Sequence, residues 1–203
     1  MAQDQKREAI IEAAIKRFAH FGVAKTTMAE IAADLSFSKA SLYYYFPDKL
    51  NLYAEVLATI AKSGTQAYEE EMTKENDPFK AIQYFLQIRT DFIIRYHNIL
   101  EYVRHFNRTN LPAELQPVFA HFKKIELQRI ITIIEKGMQS GVLKIKDPKK
   151  KAELFFDFME AFRIVHLSQT ASLMPDKKEF QAILKREQEF ALVFFNGLTH
   201  KKS

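Results

Sequence analysis

The 203-residue sequence contains no cysteine. Neither a disulfide framework nor a thiolate metal site can therefore form. Glycine is scarce, at five residues, and proline at six, so turn signals lie far apart and a glycine-rich phosphate loop is excluded. Long apolar runs are also lacking. Charges interrupt every apolar segment before the roughly 18 residues expected of a membrane-crossing helix, and no basic-plus-apolar leader opens the chain. The expectation is a soluble, cytoplasmic protein with no membrane partner. The six histidines (His20, His97, His105, His121, His166, His200) form no His-x-x-x-His pair and have no acid beside them in a zinc-like pattern, so no metal and no cofactor are expected. No Gly-x-Ser-x-Gly elbow occurs either.

What is present is a 47% hydrophobic composition, enough to bury a real core. The long stretches between punctuators carry apolar residues at helical spacing. Helices are predicted over 4–21, 28–35, 39–45, 48–73, 78–106 with a break near His97, 112–139, 148–172 and 176–198. The fold class expected is all-α. Element lengths change near residue 50, which suggests an N-terminal three-helix module over 1–50 and a larger helical body over 51–203. Charge says little about partners. The net +5 lies mostly outside the module, whose seven Lys or Arg and six acids nearly cancel, and such an excess is commonly a solvated surface.

Local geometry says more, in KTTMAEIAADLSFSKASLYYYF, residues 25–46. Thr27 followed by Glu30 is a capping box that starts a helix at Met28. Met28, Ile31, Ala32 and Leu35 then share one face. Ser36, Phe37 and Ser38 make a short connection, and Ser38 caps a second short helix from Lys39. Two short helices across a tight turn are a helix-turn-helix. On the second, Leu42 and Phe46 point back to the core, which leaves Lys39, Ala40, Tyr43 and Tyr44 for other surfaces. Slim residues first and long ones last suit a helix entering a DNA major groove, its hydroxyls reaching the phosphates. On the residues alone, the three tyrosines also fit a plug between module and body.

The same stretch, read as FAHFGVAKTTMAEIAADLSFSKASLYYYFPDKLNLY, resembles the tetracycline-repressor (TetR) family of bacterial transcriptional regulators. Phe18, Gly22, Thr27, Ile31, Ala32, Leu42, Tyr43, Phe46, Lys49 and Leu52 carry the likeness, and IIEKGMQSGVLK is similar to the family's turn between two body helices. Many members have glycine where Ser36 stands, and histidine where Tyr45 stands. The resemblance implies a dimeric regulator binding double-stranded DNA. Thr27 and the Met28 amide would approach phosphate. Ser38, Lys39 and Ala40 would face base edges or the phosphate rails beside them, with Lys39 the candidate for direct readout of guanine. Tyr43, Tyr44 and Tyr45 would meet the backbone or a thymine methyl, and Lys49 a phosphate.

A single helix-turn-helix covers half a palindromic operator, so a homodimer is expected. The wide apolar stripes of the last two helices offer the pairing surface: Leu154, Phe155, Phe158, Phe162 and Val165, then Phe180, Ile183, Leu184, Phe190, Ala191, Phe194 and Phe195. They equally fit the chain's own core. An apolar or aromatic small-molecule effector is expected in a pocket drawn from Phe85, Phe92, Tyr96, Glu101, Tyr102, His105, Phe122, Phe158 and Phe162. Against the reading of a ligand-released repressor stands a helical interaction protein or helical-pocket enzyme whose N-terminal helices only pack. The enzyme would rely on Glu101 or Glu160 with His105 or His166, a spacing that buried hydrogen-bonding pairs share.

Overall fold

The computed structural model describes residues 3–72, 75–106, 110–169 and 177–199. Among these residues are nine α-helices: α1 (Gln3–Phe21), α2 (Met28–Asp34), α3 (Lys39–Tyr45), α4 (Lys49–Met72), α5 (Pro78–Arg95), α6 (His97–Leu100), α7 (Gln116–Gln139), α8 (Pro148–Gln169) and α9 (Lys177–Asn196). The fold is all-α, as the periodicity required. Extended pairing among the described residues is limited to one isolated bridge, Leu143 to Thr199.

Two boundaries differ from the sequence expectation. The segment predicted as helix to residue 106 does break next to His97, as expected, between α5 ending at Arg95 and the short α6, but its last part, Glu101–His105, is a 3-10 turn rather than α-helix. The helix predicted from residue 112 starts at Gln116. Pro112 instead anchors a turn, its carbonyl accepting from the Leu115 and Gln116 amides at 3.0 and 3.2 Å. Pro117 then sits in the first turn of α7, where its missing N–H costs nothing.

The chain divides into two compact units, residues 1–65 with 95–122 and residues 66–94 with 123–203. The first unit thus takes in α1, α2 and α3 together with most of α4 and with α6. The reason is burial: Leu52, Tyr53, Val56, Leu57 and Ile60 form one buried face of α4 and belong with the first three helices. In this first unit Phe18, Ile31, Leu42 and Phe46 are also buried, each contributing roughly 1.5–3 kcal/mol by leaving water. Tyr53 meets Phe18 edge-on at 6.2 Å and donates its hydroxyl to the Ile99 carbonyl at 2.7 Å. Burial, with Tyr102 nearby, pushes that phenol far above its usual range. The Asn98 amide donates to the Ala19 carbonyl at 2.7 Å, so α6 is fastened to α1.

The second unit has its own core of Ile82, Phe85, Leu86, Ile130, Ile134, Phe155, Leu184 and Phe195 with their neighbours. The turn inside IIEKGMQSGVLK follows from two glycines. Gly141 takes a φ of 75°, and Leu143 folds back so that its amide donates to the Gly137 carbonyl at 2.9 Å. A Cβ on Gly137 would lie 2.6 Å from Leu143 Cδ1, so only glycine lets Leu143 seat there.

Candidate nucleic-acid interface

The interface is built on α2 and α3. Thr27 has extended backbone (φ −109°, ψ 154°) and closes the capping box in both directions: Oγ1 accepts from the Glu30 amide at 3.3 Å, and Glu30 Oε2 accepts from the Thr27 amide at 2.8 Å. The Thr27 hydroxyl also donates to Glu30 at 2.8 Å. These bonds from the Thr27 hydroxyl and amide hold the Glu30 carboxyl below its usual range. The Thr27 hydroxyl is thus a poor phosphate donor here. Met28 is buried, so only its backbone amide, an orphan of the first helical turn, can face a ligand.

The connection to α3 is a Schellman turn. Phe37 N donates to Ala32 O at 2.9 Å and Ser36 N to Ala33 O at 3.0 Å, with Ser36 in the left-handed region at φ 54°. Ser36 thus holds the conformation that glycine favours, at the position where the family often has glycine. Ser38 (φ −68°, ψ 150°) caps α3, its Oγ accepting from the Ser41 amide at 3.0 Å. Leu42 and Phe46 are buried, whereas Tyr43 is 40% and Tyr44 74% exposed. Ser38, Lys39 and Ala40 are exposed as well, and Tyr45 is half-buried. The Lys39 ammonium lies 5.8 Å from the centre of the Tyr43 ring. Tyr44 and Tyr45 meet edge-on at 5.2 Å. The helix-turn-helix therefore offers one continuous strip running from a capped N-terminus through a lysine to two phenols.

Lys49 is placed differently from the phosphate contact expected of it. Its ammonium donates to the carbonyls of Val23 (2.9 Å), Ala24 (3.4 Å) and Thr26 (3.0 Å). An ammonium has three donors, and all three are turned to the loop before α2. Arg17 is a residue that sequence reasoning missed. It forks onto Asp34, with Nη2 to Oδ1 at 2.8 Å and Nε to Oδ2, and lies 3.5 Å from Glu30. The hydrogen bonds from Arg17 hold the Asp34 carboxyl below its ordinary value, so the acids of α2 are compensated before any phosphate arrives. The available signal was Glu30 and Asp34 four apart on α2, two anions on one face that call for a cation from α1.

The nine residues expected to line an effector pocket are not gathered in either unit. Tyr96, Glu101, Tyr102 and Phe122 belong to the first, and Phe85, Phe92, Phe158 and Phe162 to the second. The His105 side chain lies outside the described residues. Phe85 is core, edge-on to Tyr68 at 6.1 Å, and Tyr102 packs between Tyr53 and Phe106 at 5.2 and 5.4 Å. Phe158 faces outward, 56% exposed and stacked on Phe190 at 5.7 Å. Phe162 lies beside His166 and beneath the Arg186 guanidinium. Of these aromatic residues Phe85 is buried, Phe158 is exposed, and Phe92, Tyr96, Tyr102, Phe122 and Phe162 are half-buried. A surface groove of about 490 Å³ in the second unit is lined instead by Phe79, Lys80, Gln83, Tyr84, Gln87, Gln188 and Leu192.

Comparison with known proteins agrees with this geometry. Residues 10–56 match the family described as bacterial regulatory proteins, tetR family. YhgD, an HTH-type transcriptional regulator of Bacillus subtilis (strain 168), is 29% identical over 157 residues, which is 75% of this chain and 78% of that one. A transcriptional regulator from Cytophaga hutchinsonii superposes with a TM-score of 0.84 at 28% identity, covering 96% of this chain and 99% of that one. Residues 10–56 are a TetR-family domain. The chain's relatives are regulators rather than enzymes, which sets aside the helical-pocket enzyme. The "Probable acrEF/envCD operon repressor" of Escherichia coli (strain K12) is 31% identical over 91 residues, 44% of this chain but only 41% of that relative.

Proposed function

We propose that this regulator is a homodimeric, ligand-released repressor in the cytoplasm. Residues 1–50 read a palindromic operator, and residues 51–203 pair the chains and sense an effector. The observation that carries the DNA-reading part is the strip on α3, where Ser38, Lys39, Ala40, Tyr43 and Tyr44 are exposed while Leu42 and Phe46 of the same helix are buried. Ser38, Lys39 and Ala40 face bases, and the tyrosine hydroxyls reach phosphate oxygens. Lys49 acts indirectly, by holding the loop that leads into α2.

Pairing is supported by apolar residues left outside on α8 and α9. Leu154, Phe158 and Val165 are 44, 56 and 49% exposed, and Leu192 and Val193 are 42 and 72% exposed. Phe155, Phe180, Ile183, Leu184, Ala191 and Phe195 from the same stripes are buried in the chain itself. The stripes were wide because each serves two surfaces. Repression is supported by the name of the Escherichia coli relative. Effector release fits the attachment of α6 to α1 and α4, since Asn98 and Ile99 tie one short helix to both.

The test is a titration of the full chain onto fluorescent mixed-sequence duplexes over a range of salt. Binding should weaken with log[salt] at a slope near −0.9 per phosphate neutralised, and Tyr44→Phe, which removes only a hydroxyl, should weaken it about equally on every sequence. Salt-independent binding, or none, would remove the DNA-reading role.

A further inference from the structure

With Lys49 turned to the loop carbonyls, the strip on α3 lacks a phosphate contact expected of it. The basic residues of α1 (Lys6, Arg7, Lys16 and Arg17) lie on the helix that packs against α2, and their pairing separates them. Arg17 is forked onto Asp34. Arg7 pairs with Glu55 of α4 at 2.8 Å, its guanidinium 5.2 Å from the centre of the Phe46 ring. Both therefore hold α1 to its neighbours. Lys6 does not: its ammonium lies 5.9 Å from the centre of the Phe37 ring, and no acid pairs with it among the described residues. Phe37 belongs to the connection between α2 and α3, one position before Ser38 caps α3. Lys6 thus places an uncompensated charge beside the turn that leads into the strip.

A second contact brings the same face of α1 to the other end of α3. Gln3 Nε2 donates to the Tyr44 hydroxyl at 3.5 Å, across 41 positions of sequence. Gln3 and Lys6 are three apart and neighbours on the helix surface, so one side of α1 meets both Phe37 and Tyr44. The bond has a chemical consequence. A phenol oxygen can accept as well as donate, and with Gln3 donating to it, the hydrogen of the Tyr44 hydroxyl is left for another acceptor. Tyr44 is largely exposed. A phosphate oxygen, which only accepts, is the partner that such a hydrogen fits.

We propose that the first turns of α1 belong to the DNA interface: Lys6 neutralises a phosphate beside the turn between α2 and α3, and Gln3 is a positioning residue that holds Tyr44 as a phosphate donor. The proposal rests on the reading of α3 as the DNA-contacting helix and extends that surface to a helix outside the helix-turn-helix. Phosphate contacts carry no sequence information directly, so both residues add affinity and register without adding specificity.

The experiment is the titration of the full chain onto fluorescent mixed-sequence duplexes over a range of salt, comparing the parent with folded Lys6→Gln, Lys16→Gln, Gln3→Ala, Tyr44→Phe and the combined Gln3→Ala, Tyr44→Phe variant. Lys6→Gln should flatten the dependence on log[salt] by about 0.9, the value for one phosphate, equally on every sequence. Lys16→Gln removes the same charge about 15 Å farther along α1 and should leave the slope unchanged. Gln3→Ala should weaken binding about 2- to 10-fold in the parent and not at all in Tyr44→Phe, because its effect passes through that hydroxyl. An unchanged slope in Lys6→Gln, or equal flattening by Lys16→Gln, would overturn the Lys6 contact. Equal losses from Gln3→Ala with and without the Tyr44 hydroxyl would overturn the positioning role. A parent that binds no duplex, or binds without salt dependence, would remove the DNA-reading role together with this extension, whereas normal parental binding beside unaffected variants would remove the extension alone.

Discussion

Ser36 is the residue whose chemistry conflicts most with its backbone. A left-handed φ costs an L-residue roughly 1–2 kcal/mol, while glycine carries a larger entropy loss on folding, roughly 0.5–1 kcal/mol. Ser36→Gly should therefore raise stability by about 0.5–1 kcal/mol, and Ser36→Val should lower it, both measured by urea unfolding. An unchanged midpoint for both would mean that the turn carries no strain. Lys49 offers a second test at this scale. Lys49→Met removes three donors from loop carbonyls and should cost about 1.5–3 kcal/mol of stability. Were Lys49 a phosphate contact instead, stability would hold and the salt slope of binding would fall by about one. Lys39→Ala should lose about 1–3 kcal/mol at one base position, whereas an equal loss on all sequences would make it a backbone contact.

At the level of elements, much was legible from sequence. The capping box at Thr27 and Glu30, the Ser38 cap and the Pro148 start each fix a helix end through local chemistry, and each lies where expected. What eluded the sequence depends on neighbours distant along the chain. Nothing near Lys49 announces that its ammonium turns to carbonyls more than twenty positions earlier. Nothing in the spacing of Arg89, Arg163 and Glu187 announces that the packing of α5, α8 and α9 brings them together. In the aromatic run over 79–106, core and pocket draw on the same residue types, so spacing alone does not separate them. Two predictions belong here. Gly137→Ala would drive a Cβ into Leu143 and Pro78 and should cost about 1–3 kcal/mol in thermal or urea unfolding. The α2 and α4 starts should also be acid-sensitive. The carboxyls of Glu30, Asp34 and Asp48 are held low by hydrogen bonds from Thr27, Arg17 and Asn51 respectively. Stability from a depressed carboxyl is present above its unfolded value and disappears as pH falls through the lower folded value. Loss should thus begin near the ordinary carboxylate range and grow below it, with Thr27→Val shrinking the effect in pH-dependent unfolding.

For the whole molecule the account requires two copies of α3 held at a fixed spacing. If the exposed residues of α8 and α9 make the pairing surface, Phe158→Glu combined with Val193→Glu should convert the dimer to a monomer in sedimentation, leaving helicity unchanged. Operator affinity should then fall by about 100-fold or more, because the second half-site contact is no longer intramolecular. The measurement that bears most directly on the central claim is selection from a pool of random DNA duplexes by the full-length protein at moderate salt, with sequencing of the bound fraction. The account predicts a palindrome whose half-sites are centred about 34 Å apart, or a multiple of a helical turn, with information lost at one position in Lys39→Ala. Recovery of no enriched sequence by protein verified as folded and free of copurified ligand would contradict it, and would return the tyrosines of α3 to a packing role.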